Sequence, residues 1–187
     1  MHQSLKIETD RLILGRLSYQ DIPKIIEYAG NEKVASTTLS IPHPYTEADA
    51  IYWINSANEG LEDSSQFTLG IRLKESNEFI GGIELQIDKA YQKAEMGYWI
   101  AESFWNKGYA SEAVGAILRF GFNATDLNKI FAAHLLENPA SGRVMIKNGM
   151  IKEAELKDHN KKGGLFRTLV QYRLTREEYM ALEGLVN

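Results

Sequence analysis

The chain has 187 residues, 44% hydrophobic and 25% charged, and no linker or low-complexity segment divides it, so we predict one domain over residues 1–187. It has no cysteine, which excludes disulfides, a thiolate nucleophile and a cysteine metal site, and its net charge of −4 argues against nucleic-acid binding. Residues 1–6 do not resemble a signal peptide, and no apolar stretch approaches the ~20 residues of a membrane span, so we expect a cytoplasmic protein.

Capping residues and hydrophobic periodicity predict the elements of the first half. Ser18 and Thr46 each precede an aspartate by three positions, a pattern typical of helix N-termini. Gly81 and Gly82 lie inside a strand pattern, which indicates a bulge or a close backbone approach. The predicted elements are a strand over residues 12–17, a helix to about residue 30, a helix over 46–59, and strands over 67–73, 79–87 and 94–101.

A turn of small residues then leads into a helix. Residues 104–113 read FWNKGYASEA, and apolar residues recur every three or four positions from Ala110 to Gly121. Backbone N–H groups at such a helix start are unpaired and lie at the positive end of the helix dipole, which suits a pyrophosphate. Gly108 and Ala110 would let a phosphate approach the main chain closely. An ordinary strand–loop–helix connection is the alternative.

Two common phosphate-binding motifs are absent. The chain contains no Gly-x-x-x-x-Gly-Lys-Ser/Thr sequence and no Gly-x-Gly sequence. Kinase-like, GTPase and dinucleotide-binding functions therefore lose their main support.

The second half completes a mixed fold. Pro139 at a first helical turn and Gly149 just past the helix end mark one short helix, and Thr175 with Glu178 caps the last one. The predicted elements are a strand over 129–136, a helix over 139–148, strands over 150–156 and 165–174 with a polar loop at 158–164, and a C-terminal helix. This order predicts an α+β (mixed α/β) domain with one largely antiparallel sheet of about six or seven strands flanked by helices.

Four blocks of sequence resemble the GNAT superfamily of acyl-CoA N-acyltransferases, and within it the branch of the ribosomal-protein N-terminal acetyltransferases. The resemblance extends from Thr9 to Leu174, and the four blocks occur in the family's order. They are residues 9–14, residues 44–46 with Ala50 and 53–54, residues 95–100 with 105–113, and residues 138–141 with 147–150.

The chain departs from the broad family pattern at three positions. Trp105 replaces a Gln or Arg in the loop, a change that is usual in this branch and leaves the backbone donors untouched. Met145 stands where many members carry a tyrosine proposed to protonate the departing thiolate. Met150 replaces a phenylalanine, which we interpret as a packing change.

The resemblance implies acetyl-CoA as the cosubstrate, a primary amine as the acceptor, a splayed strand pair that holds the cosubstrate, and a possible homodimer. Main-chain groups of Trp99, Ile100 and Ala101 are expected to pair with pantetheine. Asn138 is expected to hydrogen-bond the pantetheine arm or, alternatively, to start a helix. The residues expected around the phosphates are Trp105, Asn106, Lys107, Gly108, Tyr109, Ala110 and Ser111.

Three side chains are candidates for the proton transfers that amine acetylation requires. Glu95 is the first choice as general base, acting directly or through water, and Glu84 on the neighbouring strand is the second. Ser141 could protonate the thiolate, since Met145 cannot. The alternatives are a salt-bridged carboxylate for each glutamate and a helix cap for the serine.

The remaining polar and aromatic candidates have less support. His134 alternates with apolar residues, so we expect a partly buried, hydrogen-bonded histidine, and His43 either lines the acceptor entrance or lies on the surface. The four histidines share no ligand spacing, so no metal is expected. Tyr45 and Trp53 shape the acceptor side or pack in the core.

Three functions are consistent with these observations. The first is acetylation of a protein N-terminal α-amine, as the branch resemblance implies. The second is acetylation of a small amine such as a polyamine, an amino acid or an aminoglycoside, which the mild acidity favours. The third is an acyl-CoA sensor without catalysis, suggested by Met145.

Overall fold

The structure, a computed structural model, describes residues 5–184. Residues 1–4, part of the segment considered above for a signal peptide, lie outside the described residues, as do residues 185–187. The strands are β1 (Lys6–Glu8), β2 (Leu12–Gly15), β3 (Gln66–Leu73), β4 (Phe79–Asp88), β5 (Lys93–Ile100), β6 (Lys129–Leu135), β7 (Ile151–Lys162) and β8 (Leu165–Thr175). The helices are α1 (Ile22–Ala29), α2 (Glu32–Ser36), α3 (Glu47–Asp63), α4 (Tyr109–Ala124), α5 (Pro139–Lys147) and α6 (Arg176–Gly184).

The strands form one open sheet in the order β1-β2-β3-β4-β5-β6-β8-β7. Every neighbouring pair is antiparallel except β5 and β6, which run parallel. This confirms the mixed fold with a largely antiparallel sheet. The sheet has eight strands rather than six or seven, because the segment Lys6–Glu8 pairs with β2 and three residues are too few for alternation to show in the sequence.

The predicted helix starts are confirmed, and one helix was missed. At α3, Asp49 Oδ2 accepts from the Thr46 N–H (2.7 Å), and Thr46 Oγ1 accepts from the Asp49 N–H (3.3 Å). The unpredicted α2 has five residues, and Asn31 caps it by accepting from the Lys33 N–H (2.9 Å). Within residues 5–184, no helix combines the length and the apolarity needed to cross a membrane.

Helix α4 buries the apolar face that its periodicity predicts. The side chains of Ile117 and Phe122 are fully buried against the sheet, and a Cβ at Gly121 would lie 2.7 Å from Ile130 Cδ1. Full burial of a side chain such as that of Ile117 contributes about 1.5–3 kcal/mol to stability. The first turn of α4 is thereby held at a fixed place beside the sheet.

The hairpin of β7 and β8 differs from the prediction of a polar loop at residues 158–164. Strand β7 continues to Lys162, and only Gly163 and Gly164 connect it to β8. Both glycines have positive φ (+58° and +81°), which suits a two-residue hairpin turn. The pairing shifts between Leu156 and Asn160, and most of β7 is exposed, so its polar sequence resembles that of a loop.

Candidate active site

The sheet opens between β5 and β6. These strands pair from Lys93–Lys129 to Glu95–Phe131 and then diverge, while β6 stays paired with β8. A cleft of about 980 Å³ lies at the opening, lined by residues of β4, β5, β6, α3, the starts of α4 and α5, and the segment 37–42. The divergence is the splayed strand pair that the resemblance implied.

The direction of the hydrogen bonds along β5 decides which main-chain groups face the opening. Ala101 donates its N–H to the Ile80 carbonyl (2.9 Å), and Trp99 lies opposite a residue of β4. Because successive residues of a strand alternate in direction, Trp99 and Ala101 turn toward β4, whereas Tyr98 and Ile100 turn toward the opening. The main chain of Trp99 thus serves the β4–β5 ladder, and the Ala101 carbonyl accepts from the Phe104 N–H (2.9 Å). These partners do not support the predicted pantetheine contacts of Trp99 and Ala101.

The loop between β5 and α4 brings small residues to the cleft wall. Gly108, the N-cap of α4, has a φ of +82°, which glycine adopts without strain. The first hydrogen bond of the helix runs from the Glu112 N–H to the Gly108 carbonyl (3.1 Å), so the N–H groups of residues 109–111 precede it. Residues 109–111 line the cleft at the positive end of the helix dipole, a position suited to a pyrophosphate.

The other loop residues predicted to surround the phosphates, Trp105, Asn106 and Lys107, make different contacts. Trp105 lines the cleft and donates Nε1–H to the Ile100 carbonyl (2.6 Å), and Asn106 also lines the cleft. Lys107 is not among the lining residues, because its ammonium donates to the Ser103 carbonyl (2.9 Å). Its position therefore does not support the predicted contact of the Lys107 charge with the phosphates.

An ion pair missed by the sequence analysis ties this loop to the start of the chain. Glu112 accepts from Thr9 Oγ1 (2.6 Å) and from the main-chain N–H and Nε of Arg11 (2.9 and 2.7 Å). Arg11 also donates to the Lys107 carbonyl (3.0 Å) and lies 4.7 Å from the centre of the Tyr109 ring. Burial raises the pKa of Glu112, but the hydrogen bonds from Thr9 and Arg11 outweigh this effect and lower the pKa overall.

Two carboxylates lie on the same face of neighbouring strands and line the cleft. Glu84 accepts from Gln66 Nε2 (3.0 Å) and Thr68 Oγ1 (3.3 Å). A Cβ at Gly97, opposite on β5, would lie 3.0 Å from Glu84 Oε1, so the glycine leaves room for this carboxylate. Burial raises the pKa of Glu84, and the charge of Glu95 adds to the rise, while the two hydrogen bonds partly oppose it. Glu95 itself is exposed.

The predicted proton donor Ser141 contacts a tyrosine that the sequence analysis did not consider. Tyr98 Oη lies 2.7 Å from Ser141 Oγ and 3.0 Å from the Ser141 carbonyl oxygen, and both residues line the cleft. Burial raises the pKa of Tyr98 to about 12, against the opposing effect of the bond to Ser141. Met145 is buried in the core. Alternation along β5 places Tyr98 on the opposite face of the strand from Glu95. This alternation could have identified Tyr98 as a second polar group of the site.

Asn138 contacts protein groups at both ends of its side chain. Its Oδ1 accepts from the Ser141 N–H (3.4 Å), and its Nδ2 donates to the Thr37 carbonyl (3.2 Å). Asn138 thus caps α5, which agrees with the alternative that this residue starts a helix. It also connects α5 to the segment after α2. The contact with the pantetheine arm stays a prediction.

Aromatic side chains form one wall of the cleft. Trp53 and Trp99 lie with ring centres 6.0 Å apart, and both line the cleft together with Tyr45. A Cβ at Gly82 would lie 2.7 Å from the Trp53 ring, so the glycine allows the close approach predicted for the Gly81-Gly82 pair. Burial raises the pKa of Tyr45 to about 12. Tyr45 and Trp53 line the cleft, and they also pack against the buried side chains of α1 and α3. Both alternatives that the sequence left open for these two residues therefore hold.

The charged residues that line the cleft are divided by sign. Asp49, Glu84 and Glu95 line it from α3 and the β4–β5 pair, whereas Arg143 and Lys147 line it from α5. A polyanionic donor is favoured beside α4 and α5, and a cationic amine beside the carboxylates. The two reactants would therefore approach from opposite ends.

The histidines do not contribute an obvious catalytic group. His134 is buried, its Nδ1 lies 2.7 Å from the Leu135 carbonyl oxygen, and its ring stacks on Tyr172 at 5.7 Å. This is the packed, hydrogen-bonded histidine that we predicted. His43 is exposed and is not among the residues that line the cleft. Across residues 5–184, no cluster of three or more His, Asp or Glu residues could hold a metal ion.

A sheet that splits beside a helix N-terminus is an arrangement suited to a phosphate-bearing cosubstrate. The GNAT acetyltransferase domain model matches residues 11–151, which is more than half of the chain. The chain belongs to the GNAT acetyltransferase family and is an acetyl-CoA-dependent N-acetyltransferase. The hypothesis of a non-catalytic sensor therefore loses its support.

Named relatives and solved structures agree with this family. The N-acetyltransferase YoaA of Bacillus subtilis is 30% identical over 159 residues, covering 84% of this chain and 89% of its own length. The ribosomal protein uS5-alanine N-acetyltransferase of Escherichia coli is 23% identical over 183 residues, covering 94% and 93%. A GNAT-family acetyltransferase from Bacillus anthracis superposes with a TM-score of 0.82 at 28% identity, covering 92% of this chain and 99% of its own. Spermidine N-acetyltransferase from Vibrio cholerae, in complex with CoA and spermine, has the same fold (TM-score 0.78, 21% identity, coverage 92% and 99%).

Proposed function

We propose that the protein acetylates the N-terminal α-amine of a protein, of the kind found on ribosomal proteins. The observation that carries the proposal is the carboxylate pair Glu84 and Glu95 at the end of the cleft away from the α4 loop. The name of the Escherichia coli relative, a uS5-alanine N-acetyltransferase, also supports this acceptor class.

The chemistry of the base favours an α-amine. An α-amine has a pKa of about 8, whereas a lysine or alkyl amine has a pKa of about 10.4, so the neutral fraction of the α-amine at pH 7 is roughly 250-fold larger. The bases on the acceptor side of the cleft are the carboxylates of Glu84 and Glu95, and even a carboxylate with a raised pKa is a weak base. His134 also lines the cleft, but it is buried, its Nδ1 lies 2.7 Å from the Leu135 carbonyl oxygen, and its ring stacks on Tyr172. A site of this kind therefore deprotonates an α-amine more readily than a polyamine.

Glu84 is the better-positioned general base of the two glutamates. Its carboxylate is half-buried and fixed by two hydrogen bonds, and its pKa is raised, whereas Glu95 is exposed. Glu84 takes a proton from the ammonium, directly or through water, and the neutral nitrogen attacks the thioester carbonyl. Glu95 adds negative charge that attracts the cationic acceptor.

The remaining steps use β5 and α5. Main-chain N–H groups of Tyr98 and Ile100, which face the opening, are placed to stabilise the oxyanion that forms at the carbonyl. When this intermediate collapses, the C–S bond breaks, the Ser141 hydroxyl gives its proton to the departing thiolate, and Ser141 Oγ takes up the second proton of the acetylated nitrogen, so that the products are the neutral amide and the CoA thiol. Tyr98 has one phenolic proton, which it donates either to the Ser141 carbonyl (3.0 Å) or to Ser141 Oγ (2.7 Å); the second arrangement leaves the serine proton free to point toward sulfur.

A small amine is the second candidate acceptor. Asp49, Glu84 and Glu95 line one side of the cleft, an arrangement that also attracts a polycation. The structural likeness to spermidine N-acetyltransferase is consistent with this acceptor class. Dimer formation stays a prediction, and we further propose a cytoplasmic location, where acetyl-CoA is available.

The acceptor is tested with three substrates in one thiol-release assay, read in parallel by mass spectrometry. They are peptides with a free α-amine, the same peptides with a blocked N-terminus and an internal lysine, and spermidine. We expect acetylation of the free α-amine peptides at a kcat/KM at least tenfold above that of the other two. Turnover of spermidine alone would overturn the proposal in favour of a small amine.

A further inference from the structure

The ammonium group of Lys162 is bound by main-chain carbonyls far away in sequence. Lys162 is the last residue of β7, and its Nζ donates to the carbonyls of Ala35 (2.5 Å) and Thr38, with the Ile41 carbonyl at 3.5 Å. These carbonyls belong to the end of α2 and to the segment that follows it. A positive charge at this place also complements the negative end of a helix.

The segment after α2 is a wall of the cleft. Residues 37–42 all line the cleft, and Ile41 packs in one cluster with Tyr45. No helix or strand is assigned to these residues, so their backbone position depends on contacts with other elements. Asn138 holds the segment at the Thr37 carbonyl from the start of α5, and Lys162 holds it from the β7–β8 hairpin.

Loss of the Lys162 charge would leave its carbonyl partners without their donor. The Lys162 side chain is half-buried, and burial lowers the pKa of its ammonium, yet it stays paired with these carbonyls. Carbonyls that lose such a donor must turn toward water or find another partner. The segment 37–42 would then move away from the position that shapes the acceptor end of the cleft.

We propose that Lys162 is a positioning residue for the acceptor site, holding the segment 37–42 in place as one wall of the cleft. The proposal rests on the acetyl-transfer reaction of the family and not on which amine is the acceptor. Its test uses whichever amine the wild-type protein acetylates fastest, so it can fail or succeed independently of the α-amine proposal.

The test compares three variants of the whole protein. Lys162→Met keeps the aliphatic stem but removes the charge, and Lys162→Arg keeps a donor for the carbonyls. Lys161→Met is the matched control, because the neighbouring Lys161 is exposed and its ammonium lies over the Phe166 ring, 5.7 Å from the ring centre. For Lys162→Met we expect about a tenfold rise in acceptor KM, with acetyl-CoA KM and kcat within about twofold of wild type. Lys162→Arg should recover most of the loss, and Lys161→Met should match wild type.

Hydrogen exchange supplies a readout that needs no acceptor. In Lys162→Met the amides of residues 37–41 should exchange at least several-fold faster, while those of β3–β5 and α4 keep wild-type rates. Unchanged exchange at 37–41 would overturn the proposal. So would equal rises in the KM for acetyl-CoA and for the acceptor, since that result indicates a general structural role.

Discussion

Tyr98 Oη lies 2.7 Å from Ser141 Oγ, so a phenol on the central strand contacts the hydroxyl at the first turn of α5. The two residues are 43 positions apart in sequence, and they meet because β5 and β6 diverge at this point while α5 follows β6. The contact gives the leaving-group side of the cleft a hydroxyl pair at the helix where Met145 replaces the family's tyrosine.

Tyr98→Phe should reduce kcat about tenfold, because one hydrogen bond that orients Ser141 is lost. Ser141→Ala should reduce kcat by about a hundredfold, and the double variant should be no slower than Ser141→Ala, since both changes remove the same proton donor. Steady-state thiol release measures these rates, with the exposed Tyr91→Phe as the control. Additive losses in the double variant would show that Tyr98 acts independently of Ser141.

Glu84→Gln should reduce kcat by at least a hundredfold and leave acetyl-CoA binding unchanged. A general base works in its deprotonated form, and the raised pKa of Glu84 moves the acid limb of the wild-type rate–pH profile above the ordinary value of 4.5. That limb should disappear in the variant. Glu95→Gln is the matched comparison and should chiefly raise acceptor KM. An acid limb lost in Glu95→Gln but kept in Glu84→Gln would reverse the two assignments.

Gly108→Asp should weaken CoA binding at least tenfold, because the new carboxylate repels the diphosphate and strains a backbone with a φ of +82°. Gly164→Asp is a matched control, since Gly164 has a φ of +81° and a Cβ there would meet no atom within 4 Å. Isothermal titration with CoA measures both affinities. Equal affinity for the two variants would refute the assignment of this loop to the phosphates.

Glu112→Gln should lower Tm at pH 7 by about 2–4 °C, the shift expected for a partly exposed ion pair worth about 1 kcal/mol. The folded-state pKa of Glu112 is below its ordinary value of 4.5, so its stabilisation is present above that value and is lost as the pH falls through the folded-state pKa. The Tm difference from wild type should therefore vanish under acid conditions. Glu27→Gln, which breaks an exposed pair with Lys24, should change Tm by less. A difference that persists at acid pH would contradict the role of the charge.

Local sequence patterns predicted most of the fold. The capping pair Thr46–Asp49 and the buried face of α4 follow from interactions within a few residues, and both are present as predicted. The errors fall where sequence carries less information. The edge strand β7 is exposed on most of its length, so no alternation distinguishes it from a loop, and β1 has only three residues.

The site was predicted less completely, because its decisive contacts join distant segments. Gly108 and the cleft-facing glutamates were predicted from motif and alternation. The pairs Tyr98–Ser141 and Arg11–Glu112 depend on how strands and helices pack, which spacing alone does not specify. The main-chain direction of Trp99 and Ala101 likewise depends on which neighbour each strand edge faces.

Because β5 pairs with β6 over only three residues, a cosubstrate bound at the opening would add to the contacts that hold the sheet together. Three residue pairs connect the five-strand and three-strand portions of the sheet, so a molecule that hydrogen-bonds to β5 at the opening acts as an additional interstrand partner. Binding at a hundred times Kd would add about 2.7 kcal/mol to the free energy of unfolding. The supply of acetyl-CoA would then govern how long each molecule survives protease attack, in addition to how fast it works.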